Sequence, residues 1–198
     1  SKLGSGDYAG NPNESLIEQF EKGKEIMQRK WPNAKFIAYF QANTNTYAPI
    51  ERLKECFEPF IEKDDCIGLS IATRSDSITD ECLDYLEDIS KRTFLIVEQT
   101  NHKKTSKLIN RCSTLDSFDN MVKKLKQRNI NVVAHIINGL PYETEEMMIE
   151  TVKHLNNLNI EGIKIHMLGI LKGTPLEKYY QNNKFHILTK EEYVNIVV

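Results

Sequence analysis

The sequence predicts an α/β protein built on a parallel sheet, open or curled toward a barrel. Three observations predict it. Five short runs are near-continuously apolar, as strands covered on both faces are. They start at residues 36, 66, 93, 131 and 162, so that 27 to 38 residues separate successive starts; a βα unit takes roughly 30. The intervals read as amphipathic helices, and no low-complexity linker interrupts the alternation across residues 1–198.

The first helix carries Leu16, Phe20 and Met27 on one face. The first strand follows, Phe36–Gln41 (FIAYFQ). Leu53, Phe57 and Phe60 mark the second helix, which Pro59 should kink or end early. Strands Cys66–Ala72 (CIGLSIA) and Thr93–Glu98 (TFLIVE) come next. Asp116 is placed to cap a helix bearing Phe118, Val122 and Leu125. Strand Asn131–Ile137 (NVVAHII) precedes a helix capped by Thr144, with Glu145 and Glu146 in its first turn and Met148, Val152 and Leu155 as its buried stripe. Gly162–Leu168 (GIKIHML) is the fifth strand.

Composition excludes several classes. Lys plus Arg number 26 and Asp plus Glu 28, for a net charge of −2, so bulk charge does not mark a nucleic-acid binder. Charged residues at 27% and hydrophobic residues at 40% are those of a globular chain, not a disordered one. No apolar run spans a bilayer, and Ser1 to Gly10 lacks the apolar segment of a secretory signal. Cys56, Cys66, Cys82 and Cys112 show no CxxC or other metal spacing. They read as reduced structural thiols, and a cytoplasmic location is expected.

Right-handed crossovers gather the loops after parallel strands on one edge, where chemistry is expected. Those loops are polar here: QANTNT (Gln41 to Thr46), TRSD (Thr73 to Asp76), EQTNH (Glu98 to His102) followed by Asn110 and Arg111, HIINGLPYET (His135 to Thr144) and KIHMLGILKGTP (Lys164 to Pro175). Turn chemistry alone accounts for any one of them. It accounts less well for five that together supply Arg74, Glu98, Arg111, His135 and His166.

The stretches YFQANTNTYAP, GLSIATRSD, INR, HIINGLPYETEEMM and GIKIHMLGILKGTPL, with GSGDYAG near the start, resemble the YhcC/YtqA-like family of radical S-adenosylmethionine (SAM) proteins. The resemblance runs from Gly4 to Val198. It implies a partial (β/α)6 barrel, a [4Fe–4S] cluster held by three cysteines, and SAM cleaved reductively to a 5′-deoxyadenosyl radical. The family pattern puts the last cluster cysteine just before the position of Ser1. The cluster cysteines and the first barrel strand are therefore expected upstream of Ser1, and the five strands seen here would be strands two to six. A second departure lies at Glu98–Gln99, where the family has about three further residues between the matching Glu and Gln.

The resemblance also implies roles. Gln41, Asn43 and Thr44 stand where a polar motif meets the SAM amino group. Gln99 and Arg111, twelve residues apart as in porphyrinogen-oxidase-like radical enzymes, would meet the ribose and carboxylate; a guanidinium suits a carboxylate through its paired donors. Ile137, Gly139 and Glu143 match an adenine-packing pattern in which His135 replaces the first Gly, a ribose-side position. Glu98 is expected to hold a ribose hydroxyl or to pair with Lys164 or Arg74. Leu168 would offer backbone contacts to adenine. Arg74, His166 and Lys172 are the substrate-side candidates.

Two functions of different class fit. The first is a radical SAM enzyme with an external electron donor, acting on tRNA or a small molecule. Lys103, Lys104 and Lys107, or Lys123, Lys124, Lys126 and Arg128, are its local basic clusters. The second is a non-catalytic nucleotide- or protein-binding module of the same fold. A phosphate-binding barrel using Gly169 and Gly173 is a third reading.

Overall fold

The computed structural model describes residues 11, 13–41, 44–100, 114–183 and 185–198. Five parallel strands lie side by side in chain order: β1 (Phe36–Phe40), β2 (Cys66–Thr73), β3 (Phe94–Thr100), β4 (Asn131–Asn138) and β5 (Gly162–Met167). Each crossover carries a helix, namely α2 (Ile50–Ile61), α3 (Asp80–Arg92), α4 (Leu115–Gln127) and α5 (Glu145–Asn157). Helix α1 (Leu16–Gln28) precedes the sheet; α6 (Pro175–Asn183) and α7 (Lys190–Val197) follow it. The sheet curls into a half-barrel. In a flat sheet four strand spacings, roughly 19 Å, would separate β1 from β5. Here Lys164 of β5 reaches the Tyr39 hydroxyl of β1 at 3.3 Å.

The apolar runs conceal an alternation. Successive side chains of a strand face opposite ways. Leu69, Ile71, Leu95, Val97, Val132, Ala134 and Ile136 point outward and are at most 1% exposed under the helices. Their partners in the core include Leu53, Phe57, Phe60, Leu86, Phe118 and Leu125. Phe40 meets Phe57 and Phe60 edge-on at 4.8 and 5.3 Å.

Several local expectations need correction. Of the face proposed for α1, Phe20 packs on the core, whereas Leu16 and Met27 are exposed. Pro59 does not end α2; it sits in the last turn, and Phe60 is buried beyond it. A proline there forfeits one hydrogen bond, which apolar burial outweighs. Thr114, not Asp116, caps α4, accepting from Ser117 N at 3.1 Å. Val152 is exposed, and the buried stripe of α5 is Met148, Thr151 and Leu155. Thr144 caps α5 as expected. Among the described residues, no helix is long and apolar enough to cross a membrane.

Candidate active site

Every strand contributes a polar side chain to the inward face of the half-barrel. Tyr39 (β1), Ser70 (β2), Glu98 (β3), His135 (β4) and Lys164 (β5) form a belt around its waist. Register explains the convergence: Tyr39 stands beside Ser70, and His135 beside Lys164. On β2 the inward residues are Gly68, Ser70 and Ala72, all small, so they take up little of the interior on that side. A Cβ on Gly68 would lie 2.5 Å from the Phe94 carbonyl oxygen, so β2 and β3 can approach there only without a side chain.

Glu98 is the hub. Its Oε1 accepts from Ser70 Oγ at 2.5 Å; its Oε2 accepts from Tyr39 at 2.6 Å and from His135 Nε2 at 2.5 Å. Burial alone would raise its pKa, but the bonds from His135, Ser70 and Tyr39 outweigh burial and hold it at about 2. Glu98 is therefore ionised in this belt, and an ionised carboxylate only accepts. Burial and Glu98 push the Tyr39 phenol the other way, well above its ordinary value. The expected pairing of Glu98 with Lys164 or Arg74 is not made: Lys164 bonds Tyr39 and lies 4.9 Å over its ring, while Arg74 bonds Asp76 twice.

His166 lies on the same face as His135, one step nearer the mouth, with ring centroids 5.3 Å apart. Burial, then His135 and Lys164, lower its pKa, so it is neutral near pH 7. Among the described residues, neither His166 nitrogen nor His135 Nδ1 has a hydrogen-bond partner. Three ring nitrogens on the inward face are thus without a hydrogen-bond partner among the described residues.

At the mouth, Gln41 is exposed just past β1, and Thr44 is half-buried. Sequence reasoning missed Asn45, which ties this loop down by donating to the carbonyls of Phe40 and Ala72 at 3.0 and 2.8 Å. Thr46, bonded to Thr73 at 2.5 Å, closes the same clamp. It also missed Tyr39 and Ser70, whose inward orientation follows from strand parity with Gln41 and Ala72. Asn43, Arg111, Cys112, the GSGDYAG segment and the Lys103–Lys107 cluster lie outside the described residues.

Gln99 sits on the outward face, 1% exposed, with neither amide atom bonded among the described residues. Glu98 and Gln99 are adjacent, so strand alternation prevents both from facing the interior. Ile137 faces inward opposite His166 and packs with Leu140 and Leu168. The Leu168 backbone N–H is already committed to the Asn138 carbonyl at 3.1 Å. Gly139 adopts φ 83°, and a Cβ there would meet Leu188 at 2.9 Å, so the close approach is to the protein's own chain. Glu143 accepts from the Gly139 and Leu140 amides, both at 3.0 Å, and folds the turn back. Lys172 is exposed beside Gly173, whose amide donates to Glu177 at 2.7 Å.

The residues fit the two implied cofactor groups unequally. The unpartnered interior nitrogens and the small residues of β2 suit a polar organic ligand such as SAM. Among the described residues, no three His, Cys, Asp or Glu side chains converge as metal ligands. Cys56, Cys66 and Cys82 sit apart on α2, β2 and α3; burial, with Glu81, lifts Cys82 to about 11, against thiolate ligation. Lys124, Lys126 and Arg128 are all ion-paired, to Asp80, Glu161 and Asp84 with Glu87.

Comparison with known proteins agrees with this geometry. The model of the radical SAM superfamily matches residues 7–155, and that of the radical SAM C-terminal domain matches residues 160–198. The uncharacterised protein YtqA of Bacillus subtilis is 48% identical over 200 residues, covering 100% of this chain and 62% of YtqA. The uncharacterised protein MJ0486 of Methanocaldococcus jannaschii is 38% identical, over 92% of this chain and 58% of its own length. The chain thus spans about three fifths of these relatives. The archaeal Elp3 of Methanocaldococcus infernus superposes with a TM-score of 0.72 at 18% identity, covering 93% of this chain and 51% of Elp3. A half-barrel of parallel strands with a polar interior, matched by one family model over most of its length, belongs to the radical SAM superfamily.

Proposed function

We propose that the protein is a radical SAM enzyme acting on tRNA or a small molecule, with the half-barrel interior as its ligand site. The observation that carries this reading is the open polar belt, with unpartnered ring nitrogens, inside a domain of this superfamily. SAM bound at a reduced [4Fe–4S] cluster would supply a 5′-deoxyadenosyl radical on cleavage. Gln41, Asn43 and Thr44 would hold the amino group, with the loop kept in place by the Asn45 clamp. Arg111 would meet the carboxylate with paired donors. Ile137 offers an apolar inward surface for a base. Arg74, His166 and Lys172 would be the residues on the substrate side. Glu98 already accepts three bonds, so a ligand would reach it through His135.

The test uses the full-length protein, purified without oxygen and reconstituted with iron and sulfide. It is reduced with dithionite, given SAM, and assayed for 5′-deoxyadenosine, alone and with total tRNA or deproteinised cell extract. Formation of 5′-deoxyadenosine is the expected result, and the addition that stimulates it identifies the substrate class. A fully loaded cluster that yields none with any addition would favour a binding module of the same fold. In the same preparation Arg111→Ala should weaken SAM binding at least tenfold with the fold retained, as read by calorimetry and circular dichroism. Unchanged affinity would remove Arg111 from the site.

A further inference from the structure

We propose that His135 is an acid–base group of the half-barrel, taking a proton through Nδ1 from a substrate O–H or N–H, with Glu98 as its positioning residue. This deepens the reading above and rests on the interior being the ligand site. The polarity follows from the hydrogen bonds. The Glu98 carboxylate has no proton to give, so His135 Nε2 must donate to it. A neutral imidazole that carries its proton on Nε2 presents a lone pair at Nδ1. Among the described residues nothing bonds that nitrogen.

Of the titratable groups that face His135, Tyr39 and Lys164 do not compete for this role. Tyr39 donates to Glu98 and accepts from Lys164, so its hydroxyl is fully used. Lys164 is a donor only. His166 lies at 5.3 Å, and its own buried setting keeps it uncharged, so it does not repel a proton arriving beside it. Glu98 remains, and its charge is what an imidazolium needs. A carboxylate behind an imidazole fixes the tautomer and steadies the charged form, the arrangement general bases use.

The step balances without any further reagent. The substrate O–H or N–H bond breaks, and its electron pair stays on the heteroatom. The N–H bond forms at Nδ1, and the imidazolium remains bonded to Glu98. Return of the proton to product or solvent resets the site. Hydrogen-atom abstraction by a radical needs no such group. The reaction therefore includes a heterolytic proton transfer, and the substrate carries a hydroxyl or amine at the reacting end.

The experiment has two readouts. Long-range ¹H–¹⁵N spectra of the full-length protein, labelled at histidine and free of cluster, report the tautomer directly. His135 should carry its proton on Nε2 at pH 8; Glu98→Gln offers Nε2 both an acceptor and a donor, so it should only relax this preference. A wild-type His135 protonated on Nδ1 would overturn the proposal. In the loaded enzyme, with deproteinised extract as the probe, Glu98→Gln should lower the rate at saturating SAM by about a hundredfold. The apparent KM for SAM should change little. A rise in KM with an unchanged maximal rate would assign the dyad to cofactor binding and refute the acid–base role. If the wild type makes no 5′-deoxyadenosine, the radical reading fails by itself, and the tautomer measurement still decides the polarity of His135.

Discussion

The same five strands present two unlike surfaces. Ile71, Val97, Val132 and Ala134 are shut away from water beneath four helices. Their immediate neighbours Ser70, Glu98 and His135 turn inward and bind one another. One residue of chain separates a surface that makes the fold from a surface that can make chemistry. Burial of apolar area drives folding without regard to direction. Hydrogen bonds in a half-buried belt depend on direction and on charge, and leaving one partner unmet is costly.

Neighbouring substitutions should separate the two surfaces. The largest effect belongs to the outer one. Ile71→Ala, at a fully buried site, should cost about 2–5 kcal/mol in denaturant unfolding of the full-length protein. A loss below about 1 kcal/mol would mean that the outer face is not the core of the fold. Acid should act next, and only on the inner face. The Glu98 pKa is about 2 folded against 4.5 ordinarily, so the folded state binds fewer protons there. Its contribution is complete above about pH 4.5 and is lost as pH falls toward about 2. Glu98→Gln should flatten the stability profile within that window, and an unchanged slope would show that the carboxylate is not held down. Ser70→Ala should be milder, about 1–3 kcal/mol, because it removes one of three bonds to a charged group. Lys124→Ala, outside both surfaces, breaks an exposed ion pair with Asp80 and should leave the unfolding midpoint where it was.

All five strands were legible in the sequence, four of them starting at the residue expected and the fifth one residue later. Runs such as NVVAHII are apolar enough to identify without knowing which side they bury. What the runs hid was their parity. In FIAYF the Tyr39 ring reads as one more hydrophobe, and in CIGLSIAT Ser70 reads as a tolerated small residue; strand pairing brings Ser70 to Glu98, and Tyr39 reaches it from two strands away. His135 and Glu98 were legible as site residues because ionisable groups are rare within such runs. Their mutual bond was not, since it joins residues 37 apart in the chain across a strand pair whose register no local pattern shows. The residues expected to cap or line helices failed for a different reason. Asp116 and Thr114, or Val152 and Thr151, satisfy nearly the same periodicity, and tertiary packing chooses between them.

The inward face of β2 has one more consequence. Gly68, Ser70 and Ala72 shape the interior by what they omit, like the hollow side of a mould. Each carbon atom added to that row would subtract space from whatever lies opposite. Ala72 makes no polar contact that the belt depends on, so its methyl group sets a dimension and little else. Enlarging it to Val or Leu would turn the half-barrel into a sieve that grades ligands by girth while the charges beneath stay as they are. A relative with a bulkier residue at this place would then be expected to admit only a slimmer molecule beside the same polar belt.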